Sequence, residues 1–421
     1  MDSTDELETI LASWTPDPLV PDKNSDKEVD RPQIVSSKSV KNIVINGKSC
    51  LNFACHDYLG FANSKKVEIE AIRALRKYGV GSCGPRGFYG TIDVHLMLEK
   101  ELAEFMCTQE AILYSFGFTT IASAIPAYAK TDDVVFVDEQ CNFAIQQGLV
   151  ASRSIVKKFR HNDAQHLAQL MAEQNECERQ NSKKAKLVRR FLIVEGIYAK
   201  TGCLSPLPEY IELKKRYKVR LFIDESYSIG ILGTNGRGIS EHYNVDINDI
   251  DMVMASLETT FCSFGGFCAG SSYIVNHQRL AGLGYCFSAS LPPFQAQVAR
   301  ETLKMIKDGE ELRSSAWSKF KYVHDALGKL KKLKCVSSSI SPIKHLVNTH
   351  GDDVRTLNSL CRLAFERFGL AITIAQTIPD QEITPIRPSI RLVISDSMDY
   401  EELDRLVEHL AYCESHLPLN N

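Results

Sequence analysis

Leu221-Phe222-Ile223-Asp224-Glu225-Ser226-Tyr227-Ser228-Ile229-Gly230-Ile231-Leu232-Gly233, followed by Gly236-Arg237-Gly238, reads as a buried strand that ends in a carboxylate and passes into a glycine-spaced turn. Further short apolar runs, Val134 to Val137, Phe191 to Val194 and Met252 to Ala255, are separated from it by segments of helical period. Runs of this length joined by helices predict βα units and an α/β fold with a mostly parallel sheet. In such a sheet, ligands gather at the carboxyl ends of the strands, so Asp138, Glu195, Asp224 and Ser256, at or just past the ends of these runs, are the first site candidates.

Composition narrows the setting. A chain of 421 residues with 44% hydrophobic residues can bury a large core and fits one large domain with a smaller one. The net charge of -3 gives no general pull toward nucleic acid, and any anionic ligand must be held by local groups. The polar stretch 154–190, with Lys157-Lys158, Arg160 and Lys183-Lys184, is expected to be exposed helix with a solvated charged face. Thirteen cysteines, an odd number without a CxxC pair, point to a reducing compartment facing the cytosol. The acidic N-terminus has no signal-peptide pattern, and Ala111 to Ala129 is interrupted by Ser115, Gly117 and Pro126, so it is expected to be strand, turn and helix instead of a membrane span. No metal site is expected.

Residues 1–35 read as an arm or linker with a short helix around Leu7 to Trp14. Asn42 to Lys48 alternates around Asn46-Gly47, a hairpin signature, and residues 36–90 are expected to contribute to the small domain and to an interface. Residues 91–305 form the expected large domain. Residues 306–421, with strand-like Ala371 to Ile374 and Ile390 to Ile394, form a smaller α+β domain.

Two loops carry chemistry beside the strand ends. Gly79-Val80-Gly81-Ser82-Cys83-Gly84-Pro85-Arg86-Gly87-Phe88-Tyr89-Gly90-Thr91 is glycine-dense enough for close backbone approach, and Arg86 in it could meet a carboxylate or phosphate. Ser115-Phe116-Gly117-Phe118-Thr119-Thr120 opens an apolar helix whose free N–H groups suit a phosphate, although in isolation plain capping is the better explanation. Asp224, ending its strand, can hold a protonated pyridine nitrogen or cap a helix.

With Leu51-Asn52-Phe53, Tyr58-Leu59-Gly60, Phe287-Ser288-Ala289-Ser290-Leu291-Pro292-Pro293 and Ile390-Arg391-Leu392 in the same order, the chain resembles the α-oxoamine synthase family along nearly its whole length. The resemblance implies a pyridoxal-phosphate transferase of fold type I, with an active site at a dimer interface, that condenses an amino acid with an acyl-CoA.

The resemblance also implies a cofactor lysine six residues before a Gly-Gly pair. Here the pair is Gly265-Gly266, the position is Thr259, and no lysine occurs between Lys218 and Lys304. A hydroxyl cannot form an imine. The family's ring-stacking histidine is replaced by Asn142, and its histidine after Asp224 by Tyr227. Such coordinated loss resembles the lysine-free chain of two-chain family members that join L-serine to palmitoyl-CoA, giving 3-oxosphinganine. That implies pyridoxal phosphate held covalently by a lysine-bearing partner subunit. It also implies the cytosolic face of the endoplasmic reticulum, where such a chain usually carries an N-terminal membrane helix, so that either this is a shortened form or membrane contact comes through the partner. Cys83, Arg86 and Tyr89 are the expected contributors to the shared site, and Arg391 matches the family's carboxylate-binding arginine. A homodimer with altered chemistry and a non-catalytic regulator of the partner remain open at this point.

Overall fold

The computed structural model describes residues 3–16, 19, 33–38, 40–180 and 187–416. In chain order the helices that matter here are α1 (Ser3–Ser13), α2 (Lys65–Tyr78), α3 (Asp93–Met106), α4 (Gly117–Tyr128), α5 (Phe143–Ser152), α6 (Ala164–Gln180), α7 (Leu207–Tyr217), α8 (Ser272–Ala281), α9 (Leu283–Phe287) and α10 (Pro293–Lys307). They are followed by α11 (Glu310–Leu327), α12 (Val354–Phe368) and α13 (Tyr400–Ser415).

The first strands, β1 (Asn42–Ile45) and β2 (Lys48–Asn52), form the hairpin expected at Asn46-Gly47, where both residues have positive φ as a two-residue turn requires. The large sheet uses β3 (Glu110–Tyr114), β4 (Val134–Asp138), β5 (Ile155–Phe159), β6 (Arg190–Glu195), β7 (Arg220–Asp224), β8 (Met252–Ser256) and β9 (Gly266–Gly270), in the order β3-β9-β8-β7-β6-β4-β5. Its strands run parallel except β9, which is antiparallel to both neighbours.

The continuous apolar runs follow from burial on both faces. Phe136, Leu192, Val194, Leu221 and Ile223 enter the core on one side of the sheet, and Val135, Val137, Phe191, Ile193 and Phe222 the core on the other.

A smaller sheet joins β10 (Leu333–Cys335), β11 (Ile343–Asn348), β13 (Thr373–Ile374) and β14 (Ile390–Val393). Between them in sequence, β12 (Leu370–Ala371) pairs with β2, so the early hairpin is completed by a strand from the last quarter of the chain.

Ala111 to Ala129 resolves into β3, a turn and α4 as expected. The expectation of exposed helix across 154–190 needs correcting. Residues 155–159 are the edge strand β5, in which Lys158 is exposed and Lys157 half-buried while Phe159 is buried against the core; helix begins only at Ala164. Charged side chains are tolerated on an edge strand and there imitate a solvated helix face. Lys183-Lys184 lies outside the described residues. Among the described residues, no helix is long and apolar enough to cross a membrane, and no cluster of metal-ligating side chains occurs.

Candidate active site at the strand carboxyl ends

Asp138, Glu195, Asp224 and Ser256 are the last residues of β4, β6, β7 and β8, so the sheet gathers them at one end. Glu195 and Asp224 are direct partners in the ladder between β6 and β7. Asn142, the residue capping α5, ties them together: its backbone N–H donates to Glu195 Oε1 at 2.7 Å, and its Nδ2 donates to Asp224 Oδ2 at 2.7 Å. The other Asp224 oxygen accepts from the Ser226 N–H at 2.9 Å and the Ser226 hydroxyl at 2.5 Å. Burial, followed by the nearby Asp224 carboxylate, pushes Glu195 up to about 8, and burial raises Asp224 as well. With no cation between them, the pair is held by amide and hydroxyl donors and by a retained proton.

Thr259 is almost fully buried, and its hydroxyl donates to the Ser226 carbonyl at 2.6 Å. The preceding Glu258 reaches the start of α4, where the Gly117 N–H donates to its Oε1 at 2.9 Å. Gly117 is sterically required here, since a Cβ would lie 2.2 Å from Ser256 Oγ. The N-terminus of α4, a natural seat for an anion, is thus occupied by a carboxylate of the chain itself.

Arg391, on β14, donates from Nη2 to the Ala54 carbonyl at 3.2 Å, and its buried Nε has no partner. Its charge reaches Tyr227, His56 and His345. Burial and then Arg391 hold His56 down to about 3, and burial holds His345 down to about 4, so both rings stay neutral. His56 lies edge-on to Tyr227 with ring centres 5.3 Å apart, and its Nδ1 is 2.8 Å from the Tyr58 hydroxyl.

The Gly79 to Thr91 loop closes on itself. The Gly90 N–H donates to the Pro85 carbonyl at 3.0 Å, and a Cβ on Gly90 would stand 2.0 Å from the Gly84 carbonyl oxygen. Arg86 is turned inward and buried. Its fork meets Glu99 through both Nη atoms at 2.8 and 3.1 Å, while Nε donates to Thr91 Oγ1 at 3.0 Å. The guanidinium also lies over Tyr285, with 5.4 Å to the ring centre. Cys83 and Tyr89 are exposed, with φ of +55° and +64°, each a left-handed conformation that costs a non-glycine residue roughly 1–2 kcal/mol. The structure therefore unites Asn142, Asp224 and Thr259 in one hydrogen-bonded group, with Tyr227 and Arg391 beside it. It places Cys83 and Tyr89 on a neighbouring surface loop that Arg86 holds from within.

The sequence reading passed over Glu258 and His56. Glu258 carried one signal: a charged side chain directly before Thr259, the position of the missing lysine. His56 carried none, since its contacts come from distant strands.

A mostly parallel sheet with one reversed strand, and a carboxylate-ended β7 at its centre, defines the class. The description "Aminotransferase class I and II" fits residues 48–410, and the chain belongs to that family. Within it, the chain groups with serine palmitoyltransferase 1 and long chain base biosynthesis protein 1. It is 38% identical to serine palmitoyltransferase 1 of Dictyostelium discoideum, over 97% of this chain and 87% of that protein. It is 35% identical to long chain base biosynthesis protein 1 of Arabidopsis thaliana, over 99% and 86% respectively. A solved serine palmitoyltransferase from S. paucimobilis, bound to a PLP–myriocin aldimine, has the same fold, with a TM-score of 0.83 at 22% identity over 98% of this chain and 97% of that one.

Pyridoxal phosphate does not fit this chain's own pocket. Glu258 places negative charge at the N-terminus of α4, the seat a phosphate would need, and Thr259 offers no amine.

Proposed function

We propose that this chain is the lysine-free subunit of a two-chain serine palmitoyltransferase, working with a lysine-bearing subunit 2 to condense L-serine with palmitoyl-CoA to 3-oxosphinganine. Its kinship with serine palmitoyltransferase 1 chains gives it a role in serine palmitoyltransferase and sphingolipid synthesis. The observation that carries the lysine-free assignment is the Glu258 carboxylate seated on the Gly117 N–H beside Thr259. A chain that has replaced both the imine-forming amine and the phosphate seat keeps the fold for a reason other than its own catalysis.

In this reading the partner holds pyridoxal phosphate, which supplies the electron sink for loss of the serine α-proton. This chain supplies a wall of the shared site through Cys83 and Tyr89, and Arg86 fixes the shape of that wall from behind. Arg391, with its free Nε, is the group here that would take a carboxylate. The pair works at the cytosolic face of the endoplasmic reticulum membrane.

The full chain, expressed alone and with its lysine-bearing partner, tests the reading by borohydride reduction and peptide mapping. The expected label falls on the partner alone, and acyltransferase activity requires both chains. A cofactor adduct on a lysine of this chain, or full activity of this chain alone, overturns the assignment. If substituting Cys83 and Tyr89 leaves activity, amino-acid choice and acyl preference of the pair untouched, the chain is a regulator and not a wall.

A further inference from the structure

Asp138 ends β4 at the same edge of the sheet as Glu195 and Asp224, but its bonds go elsewhere. Its Oδ1 accepts from the Gln140 N–H at 2.8 Å and lies 2.9 Å from His161 Nδ1, and its Oδ2 accepts from the Asn162 N–H at 2.8 Å. His161 Nε2 stands 3.1 Å from Thr201 Oγ1, in the loop between β6 and α7 that a bridge from Ile197 to Leu204 closes. Thr201 Oγ1 also accepts the Cys203 N–H at 3.2 Å, which brings the Cys203 thiol onto the same imidazole. A fully buried carboxylate, an imidazole and a partly exposed thiol thus stand in series.

Burial opposes a charge on His161, but the bonds to Asp138 and Cys203 outweigh it and carry the ring up to about 9, so His161 is an imidazolium at neutral pH. A thiol held against an imidazolium, itself oriented by a carboxylate, is the arrangement that makes a sulfur nucleophile. Cys335 supplies the contrast within the molecule. It too has an imidazole, with His324 Nδ1 at 3.8 Å, but burial pulls His324 below its ordinary value and pushes the Cys335 thiol up. Cys83, Cys107 and Cys177 are more exposed than Cys203, and among the described residues their sulfurs have no histidine partner. Accessibility and activation therefore point to different cysteines.

We infer that Cys203 is a site of thiol–disulfide exchange, its sulfur activated by His161 and Asp138, and that its co-reactant is a low-molecular-weight disulfide. The Cys203 sulfur attacks one sulfur of that disulfide, whose S–S bond breaks as a new one forms to Cys203, and the proton that Cys203 gives up goes to the departing thiolate. The disulfide is the oxidant: Cys203 is oxidised and the departing sulfur is reduced. A small co-reactant fits because the thiol is only partly exposed, with Sγ donating to the Val336 carbonyl at 3.2 Å on the loop between β10 and β11. The adduct replaces that bond. It sits on the loop whose Ala199 N–H donates to Glu195 at 2.9 Å and whose Ala199 carbonyl lies 3.0 Å from His345 Nε2, so the modification reaches the strand-end group through one short segment.

Treatment of the full chain at pH 7 with a limiting amount of oxidised glutathione, followed over time by peptide mass mapping, tests the inference. Glutathione is expected on Cys203 at least about ten-fold faster than on Cys83, Cys107, Cys177 or Cys335, although the first three are the more exposed. His161→Asn, which keeps a polar side chain beside Asp138 but carries no positive charge, should slow Cys203 by at least about ten-fold. The rate at Cys83 should stay as it was in this variant, which reports that the variant is folded. Earlier modification of Cys83, Cys107 or Cys177, or a Cys335 rate equal to that of Cys203, would overturn the inference from the unaltered chain alone. An unchanged Cys203 rate in a folded His161→Asn variant would overturn it as well, by showing that the imidazolium does not activate the thiol.

Discussion

Threonine at 259 removes the amine that an imine needs, yet the pocket is closed to the cofactor by its neighbour as well. Glu258 carries its charge to the Gly117 N–H, so restoring a lysine at 259 leaves an anion where another anion would have to bind. The expected outcome is that Thr259→Lys alone yields no borohydride-reducible pyridoxal phosphate on the chain. The same change combined with Glu258→Ser and Asn142→His yields a measurable fraction by absorbance and peptide mapping. Uptake by the single variant would mean that Glu258 does not guard the seat.

Glu195 gives a second test at this scale. Burial and Asp224 raise its carboxyl from an ordinary 4.5 to about 8, so the folded chain keeps a proton that the unfolded chain has already lost. Its contribution to stability is complete below about pH 4.5 and declines as the pH rises to about 8. Glu195→Gln, which cannot ionise, should flatten the decline in unfolding free energy between pH 5 and 8 by about 3 kcal/mol. This flattening should appear whatever constant cost follows from disturbing the contact with the Ala199 N–H. Denaturant titrations at several pH values measure it, and an unaltered slope would place the retained proton elsewhere.

Among the elements, the Gly79 to Thr91 loop depends most on a single buried pair. Arg86 and Glu99 are both inaccessible, and Glu99 also accepts the Leu113 N–H at 2.9 Å, so the pair joins the loop to α3 and to β3. Arg86→Ala leaves that carboxylate buried without its cation and should cost about 3–5 kcal/mol. Arg86→Lys should recover little of it, because an ammonium cannot reproduce the two-point contact. Chemical denaturation gives the cost, and faster reaction of Cys83 with a thiol reagent reports the loosened loop. The sequence made this loop visible as a glycine-rich surface with a cation in it. It did not show that the cation faces inward, because Glu99 lies on a later helix and its burial depends on packing against β3.

For the molecule as a whole, the parallel sheet was legible because two-sided burial writes uninterrupted apolar runs into the chain, and the strand ends then located Asp138, Glu195 and Asp224. The small sheets were less so: β12 has two residues and exists through pairing with β2, a contact that no local pattern announces. The seat of Glu258 is set by a glycine 141 residues earlier in the chain, which only the assembled fold brings near.

The same assembly leaves an uncovered aromatic surface. Segment 283–291 packs on the loop through the bond from the Ser290 N–H to the Gly84 carbonyl, and on the start of α4 through the Ser115 hydroxyl and the Ala289 carbonyl. Phe88, Tyr89, Phe116 and Phe287 on these segments remain exposed, as does Phe264, whose neighbour Gly265 lies against Leu291. Aromatic side chains grouped in this way are the usual anchors of a protein interface, whereas scattered ones need no partner. A partner subunit seated on this face would cover them and meet the Cys83 and Tyr89 wall at the same time. Phe264→Asp with Phe287→Asp should therefore change the stability of the isolated chain by no more than about 0.5 kcal/mol, since neither ring has a place in the core. The same pair of changes should lower recovery of the lysine-bearing partner in co-purification by at least about ten-fold and remove acyltransferase activity in proportion. Undiminished recovery would move the partner to another face and separate the aromatic surface from the shared site.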